Sequence, residues 1–418
     1  MKTTSRNGAD VQGLTAAFGR YLDPAWLPVR AHFDQVEPWT TRQQIALTAV
    51  ASPTHAEGLR AEWMLRQFRE LGLEAGIDEV GNVVAERASR DPSLPLVALT
   101  AHLDTAFAPG TPVQPEWRQG RIWAPGISDN GAGLAALLAL ARTLQDWNVA
   151  TEAGLLFVAN VGEEGEGDLR GMRHLFRPAS PWAERIGWTV VLDGPGVEQI
   201  TTSALPSRRL KLAVEGPGGH SWSNLGRASA VHAAIRIGAA LLAQVQPQAD
   251  ALGCNIGLIQ GGSAVNAIAA EAWFKLDLRA HTAAGLDDLT QAARRALATG
   301  VEQENAAALA GAVRARWEVI GERPGGTLAS DAPLLQLLRR VDQELGIAAI
   351  ADTASTDANI PLAQRRQALR VGAGGQGGGT HTLQEWYEPT GRSLALERVL
   401  LLVLTLAAAA PPARPLRA

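Results

Sequence analysis

Histidine and carboxylate residues recur in this chain at points where a fold could gather them around a cation. His102 and Asp104 stand two residues apart at the end of an apolar run, Leu96 to Leu103. Residues i and i+2 of a strand face the same side, and a metal-bound imidazole commonly gives its second N–H to a carboxylate. Asp104 is therefore placed to orient His102. Asp129 lies in Gly126-Ile127-Ser128-Asp129-Asn130-Gly131-Ala132-Gly133, just before a helical segment. Glu163 and Glu164 follow the apolar run ending at Val161, Asp193 follows Val190-Val191-Leu192, and His381 follows Gly377-Gly378-Gly379-Thr380. Histidine and carboxylate without thiolate suits zinc, with cobalt or manganese as alternatives.

Taken singly, each of these residues has an ordinary explanation. Asp129 could cap the helix that follows it, Asp193 could be a turn residue, Glu163 and Glu164 a solvated acidic loop, and His381 a loop histidine. Their joint placement separates the readings. Three of the sites follow apolar strands, and in open α/β sheets ligands bind outside the carboxyl ends of strands. Gly372, Gly374 and Gly377 spell Gly-x-Gly-x-x-Gly. No amphipathic helix opens there and no βαβ unit surrounds it, so the spacing does not predict a dinucleotide site.

The elements that must position these groups follow from periodicity. Helical spacing covers residues 56–71, ended by Gly72, and Leu134 to Leu144. Near-continuous apolar runs at 96–103 and 154–161, with a short one at 190–192, suit parallel strands covered on both faces. Strands alternating with helices predict a doubly wound α/β domain. Between Ser207 and about 320 the pattern becomes β-α-β-β-α-β: strands at 209–215, 254–260, 270–280 and 313–320, and helices at 229–245 and 286–298. That order is ferredoxin-like. The expected organisation is thus a catalytic domain of residues 1–206 and 321–418, with residues 207–320 inserted as a lid and dimerisation domain.

The 418 residues are 46% apolar and 19% charged, with a formal net charge of −4. A nucleic-acid partner, which calls for a basic face, is not expected. The single cysteine, Cys254, forms no intramolecular disulfide and reads as a small buried thiol. No apolar segment follows Lys2 and Arg6 as in a secretory signal. The strongest apolar run, Val399 to Ala410, is shorter than the roughly 20 residues a membrane span needs. It reads as a buried helix stopped by Pro411 and Pro412. A cytoplasmic chain with no membrane partner is expected.

The joint pattern resembles the two-zinc metallopeptidase family that includes peptidase T, carboxypeptidase G, aminoacylase and acetylornithine deacetylase. The matching segments are Ala101-His102-Leu103-Asp104-Thr105, Ser128-Asp129-Asn130-Gly131-Ala132-Gly133, Gly162-Glu163-Glu164-Gly165, Gly218-Gly219-His220-Ser221, Ser355-Thr356-Asp357-Ala358-Asn359 and Gly379-Thr380-His381-Thr382. The resemblance implies two zinc ions per chain. His102, Asp129 and Asp193 would hold one, and Asp129, Glu164 and His381 the other, with Asp129 bridging. Glu163 would be the general base and Asp104 the residue orienting His102. A cis peptide is implied at Asp129–Asn130. His220 would be an oxyanion donor, often supplied by a partner subunit, and Asn266 and Arg279 would bind the carboxylate end of the substrate. The implied activity is hydrolysis of an amide bond in a small peptide, of di- or tripeptidase or carboxypeptidase type, by a homodimer. An N-acyl-amino-acid deacylase is the alternative on the same residues. A metal-free binding protein would require a damaged ligand set, which the sequence does not show.

Overall fold

The apolar run beginning at Leu96 folds into the strand Leu96–His102, and all seven of its residues are buried. Alternation sends Val97, Leu99 and Ala101 into one apolar core and Leu96 and Ala98 into another. Both faces of the strand are therefore covered, which is why its sequence does not alternate with polar residues. In the computed structural model, which describes residues 11–245 and 252–408, this strand lies inside a nine-stranded sheet. Its order is Glu74–Ile77, Val83–Arg87, Leu155–Asn160, Leu96–His102, Ile186–Leu192, Gln367–Val371, Gln199–Ala204 and Gly326–Thr327, with Ile350–Ala354 also pairing with Gln199–Ala204.

Four neighbouring strands, Leu155–Asn160, Leu96–His102, Ile186–Leu192 and Gln367–Val371, run parallel. The strands on either side, Val83–Arg87 and Gln199–Ala204, are antiparallel to this block. His102 pairs level with Asn160, and Val371 with Leu192. The residues that leave the parallel block at its carboxyl end are therefore His102, the turn after Asn160 and the residue after Leu192.

Helix Gly131–Asp146 covers one face, with nearly all its residues buried. It begins three residues earlier than periodicity suggests, because Gly131 and Gly133 break the apolar pattern. Gly133 is required: a β-carbon there would collide with the Asn130 side chain and the Leu192 carbonyl. Helix Arg392–Leu406 is likewise buried and fastened by Arg398, whose guanidinium donates to both oxygens of Asp342 at 2.6 and 2.7 Å. The stop expected at Pro411 and Pro412 lies outside the described residues. Helix His32–Thr48 and a small sheet of short strands, Gln376–Gly378, Trp386–Glu388, Arg121–Trp123 and Glu116–Arg118, were not foreshadowed by periodicity.

The chain divides into two compact units. Residues up to Ala204 and from Gly326 form the unit just described, and Leu205–Gly325 forms the other. The second unit has a four-stranded sheet in the order Leu252–Gly261, Glu271–Ala280, Ser207–Glu215, Arg314–Arg323, all antiparallel. Helices Ala230–Gln244 and Ala283–Ala307 pack on it through Ala233, Ile237, Leu241, Leu289, Ala293 and Ala296. Its element order is β-α-β-β-α-β, with the strand order of a ferredoxin-like fold. Ser229 and Thr282 cap the two helices. Cys254 is half-buried on the first strand of that sheet, and burial pushes its thiol up.

No helix among the described residues is long and apolar enough to cross a membrane. The fold places its stability in the parallel block. Phe157→Ala, which empties a fully buried site packed on Phe68, should destabilise this unit by about 3–5 kcal/mol, read as a lowered midpoint of its denaturant-induced unfolding.

Candidate metal centre

His102 ends its strand with the imidazole buried. Its Nε2 lies 3.0 Å from Asp129 Oδ1 and 3.8 Å from Asp193 Oδ1. On the other side, Asp129 Oδ2 lies 3.3 Å from Nε2 of His381, which in turn meets Glu164 Oε1 at 2.8 Å. The two oxygens of Asp129 thus face two different histidines. Two triads of ligand atoms result, His102–Asp129–Asp193 and Asp129–Glu164–His381, each gathered within 4.8 Å. A third triad, His102–Glu163–Glu164, is equally close and puts the Glu163 carboxylate at the same centre.

The electrostatics are those of a place short of positive charge. Burial opposes a proton on His102, yet its contacts with Asp104, Asp129 and Asp193 outweigh this and hold its pKa well above the usual imidazole value. Contacts with Asp129 and Glu164 push His381 up to about 10. Burial would raise Asp129, but the two imidazoles hold it well below the usual carboxylate range. Burial raises Glu164. His102 Nε2 and Asp129 Oδ1 face each other at 3.0 Å, and neither atom makes a hydrogen bond. Buried polar atoms without partners normally have a reason, and converging lone pairs suit a cation. The imidazole and carboxylate donor set therefore fits a zinc-type ion.

Local structure explains how each residue arrives. Asp129 does not cap the helix after it. Asn130 does, accepting from Gly133 N at 3.0 Å, and this leaves the Asp129 carboxylate to the centre. The Asn130 side chain also donates to the Leu192 carbonyl at 2.9 Å and accepts from Gly194 N at 3.3 Å, tying the loop to the one carrying Asp193. The Asp129–Asn130 peptide is cis.

Asp104 differs from its expected contact. The His102 Nδ1 lies 3.0 Å from the main-chain carbonyl of Asp104 and 3.7 Å from its carboxylate. The carboxylate instead accepts the amides of Glu163 and Glu164, both at 2.9 Å, and the Thr54 hydroxyl at 2.9 Å. The main chain of Asp104 orients the imidazole, and its side chain orients the Glu163–Glu164 turn. Glu57 holds the same turn, accepting from Gly162 N at 3.2 Å while Arg170 grips it with two bonds of 2.8 and 2.7 Å.

Two further acids went unassigned at the level of sequence. Asp357 sat inside a matched segment but received no role. It is buried, accepts from Asn160 Nδ2 at 2.7 Å, and burial pushes its carboxyl up to about 7. Glu385 follows His381 by four residues and is also buried. It accepts from the amides of Gly126, Ser128 and Asp129 at 2.8, 2.9 and 2.8 Å. Burial pushes it up to about 7 against the pull of those amides. Asp357 is marked by its matched segment alone, and Glu385 by no local pattern.

His220, Asn266 and Arg279 belong to the Leu205–Gly325 unit. His220 Nδ1 accepts from the amides of Trp222 and Ser223 at 3.2 and 3.3 Å. That acceptor role leaves the proton on Nε2, so the exposed imidazole presents a donor. Asn266 is next to it: its carbonyl accepts from Ser221 N at 2.9 Å, and Gly219–His220 pairs with Ala267–Ile268. Arg279 is elsewhere in the unit. It sits near the far end of strand Glu271–Ala280, roughly 26 Å along it at the usual rise per residue, paired with Asp277 at 2.7 Å.

A parallel-sheet edge that gathers two histidines and four carboxylates defines a metal-dependent hydrolase type of site. The sequence profile of Peptidase family M20/M25/M40 matches residues 98–406, and the chain belongs to that family. A protein from Pyrococcus furiosus named as a LysW-lysine/LysW-ornithine hydrolase is 32% identical over 28% of this chain and 32% of its own length. The alkaline phosphatase isozyme conversion protein of Escherichia coli is 31% identical over 30% of this chain and 41% of its own length. The chain thus spans about a third of the length of the first of these relatives and about two fifths of the second. A Staphylococcus aureus tripeptidase structure superposes with a TM-score of 0.69 at 22% identity, over 89% of this chain and 99% of that one, which establishes the shared fold.

Asp104→Asn should test the turn's anchoring. It replaces one of two acceptor oxygens, which together take three donors, by an NH2 that must face at least one of those donors, and loss of such an outer contact typically weakens metal binding by about 10–100-fold. Metal affinity measured by chelator competition should fall accordingly, with the fold retained by circular dichroism.

Proposed function

We propose that this chain is a two-zinc amidohydrolase that cleaves an amide bond in a small peptide. The observation that carries the proposal is the placement of Asp129, with one oxygen toward His102 and the other toward His381. A carboxylate so placed can be shared between two cations, His102 and Asp193 completing one set and Glu164 and His381 the other. Two such cations, when bound, would polarise a carbonyl and lower the pKa of a bound water.

Glu163 is buried beside both sets and is left over when each is complete. It serves as general base, taking a proton from the attacking water and giving it to the leaving nitrogen. His220 offers its Nε2–H to the oxygen that gains negative charge, and the Arg279 guanidinium suits a substrate carboxylate because its donors form a fork. The names of the relatives, a tripeptidase among them, support an amide or peptide bond as the target. A deacylase acting on N-acyl amino acids would use the same residues, and a panel of di- and tripeptides against acetyl and succinyl amino acids separates the two.

The second unit supports a homodimer. His220 and Asn266 lie together before strand Glu271–Ala280, whereas Arg279 lies near its far end, roughly 26 Å along it from Glu271, which argues against one copy of this unit bringing all three to one small substrate. A second copy supplying His220 and Asn266 removes the conflict. The edge strand Leu252–Gly261 exposes Leu258 and Ile259, and the neighbouring helix exposes Ile235 and Leu242, which gives such a copy an apolar surface. The location that goes with this reading is cytoplasmic.

Three results are expected. Metal analysis should approach two equivalents of zinc per chain, and activity that survives complete chelation would overturn the proposal. Glu163→Gln should keep the metal and lower turnover by roughly 10²–10⁴-fold, whereas Glu164→Gln should lose metal from one position. Mixing His220→Ala with Glu163→Gln chains should restore part of the activity, because one site of each mixed dimer has both groups; no recovery despite proven subunit exchange would place His220 in its own chain's site.

A further inference from the structure

The loop that carries Asp129 has no strand to hold it. Residues 124–130 lie between Arg121–Trp123 and Gly131–Asp146 without regular structure. Three amides of this loop converge on one carboxylate. Glu385 Oε1 accepts from Ser128 N and Asp129 N at 2.9 and 2.8 Å, and Oε2 accepts from Gly126 N at 2.8 Å. The grip is doubled by the main chain, since Ala124 N donates to the Glu385 carbonyl at 3.1 Å. The Gln44 side chain adds a bond to the Ile127 carbonyl at 2.7 Å.

Glu385 belongs to the segment that carries His381. Its own amide donates to the Thr382 carbonyl at 3.2 Å, and Thr382 N donates to the Gly379 carbonyl at 3.0 Å, so the stretch from Gly379 to Glu385 closes into successive turns. Residues 381–385 therefore supply one candidate ligand directly and fix the position of another. On the far side, Asn130 fixes the same loop to Leu192 and Gly194.

We infer that Glu385 is a positioning residue that sets cation affinity at both candidate positions, by holding the Gly126–Asp129 loop so that Asp129 can be shared. The inference rests on the two-metal reading above. A neutral loop anchor would not need a carboxylate: an amide in its place would turn an NH2 toward backbone N–H groups and lose at least one bond. Because Asp129 serves both sets, loosening it weakens both positions together. Loss of Glu164 or Asp193 weakens one. A coupled loss is thus the signature of this role.

The test is titration of the metal-free full chain with cobalt(II), followed by its visible absorption and by competition with a chelator. Glu385→Gln should lower affinity at both positions by about 10–100-fold and alter the absorption of the saturated protein. Glu385→Asp, which keeps the charge on a shorter arm, should fall between Gln and the wild type, and it carries the test if the Gln variant does not fold. Asp342→Asn breaks the buried pair with Arg398 in the same unit; it should lower the melting temperature and leave both cobalt affinities unchanged. Wild-type affinity in Glu385→Gln, a loss at one position alone, or an equal loss in Asp342→Asn would overturn the inference. A wild-type chain that takes up no cobalt would overturn the two-metal reading itself, and this inference with it.

Discussion

One carboxylate facing two imidazoles governs this structure. His102 and His381 are 279 residues apart in the chain, and Asp129 turns one oxygen toward each of them. The sheet delivers His102, the Glu163–Glu164 turn and Asp193 to one edge because the parallel strands end level with one another. It cannot deliver Asp129, which arrives on a loop before a helix. The polar contacts of the region are accordingly concentrated on that loop. Gln44 and Glu385 bond it from two other parts of the chain, and its own Asn130 ties it to Leu192.

Burying so many acids together is unfavourable unless something offsets it. An unpaired buried carboxylate is strongly disfavoured, and pairing helps only with good geometry. Here the protein gives hydrogen bonds to the acids that shape the site. Asp104 accepts two amides and a hydroxyl, Glu385 three amides, and Glu57 an amide and a guanidinium. Asp129 Oδ1 and His102 Nε2 remain without hydrogen bonds. The division has a thermodynamic consequence. A cation that binds only the folded chain adds stability as RT ln(1 + [L]/Kd), about 4 kcal/mol at a thousandfold excess over Kd. The region is thus built to be more stable loaded than empty.

Much of this was legible in the sequence, for different reasons in different places. The central strand could be read because coverage on both faces forces an unbroken apolar run. The ferredoxin-like order could be read because its strands alternate and its helices carry caps at Ser229 and Thr282. The acids and histidines stood out by type, but their grouping into two sets came from the family resemblance, since spacing alone does not say which loops meet. Asp104 is beside His102 as the His-x-Asp spacing suggests, with its carbonyl at 3.0 Å and its carboxylate at 3.7 Å from the imidazole, a division that spacing cannot resolve. Glu385 was invisible. It sits between strands of three residues, too short to show a period, and its partners are backbone amides, which no side-chain pattern records. The first helices escaped for a related reason: His32–Thr48 mixes polar and apolar residues, and Gln44 is buried within it to reach Ile127.

The adjacent acids Glu163 and Glu164 show how the backbone can divide one turn between two tasks. Their amides both donate to Asp104, one to each oxygen, so the main chain of the turn is fixed from beneath. Gly162 and Gly165 flank the pair with positive φ angles of 68° and 48°, a conformation glycine adopts readily. The chain can therefore enter and leave the turn sharply, and both side chains reach the same centre. Glu164 reaches His381, and Glu163 stays beside His102 and Glu164 without belonging to either set that shares Asp129. The contacts of Asp104 thus fix the backbone from which both carboxylates reach the centre.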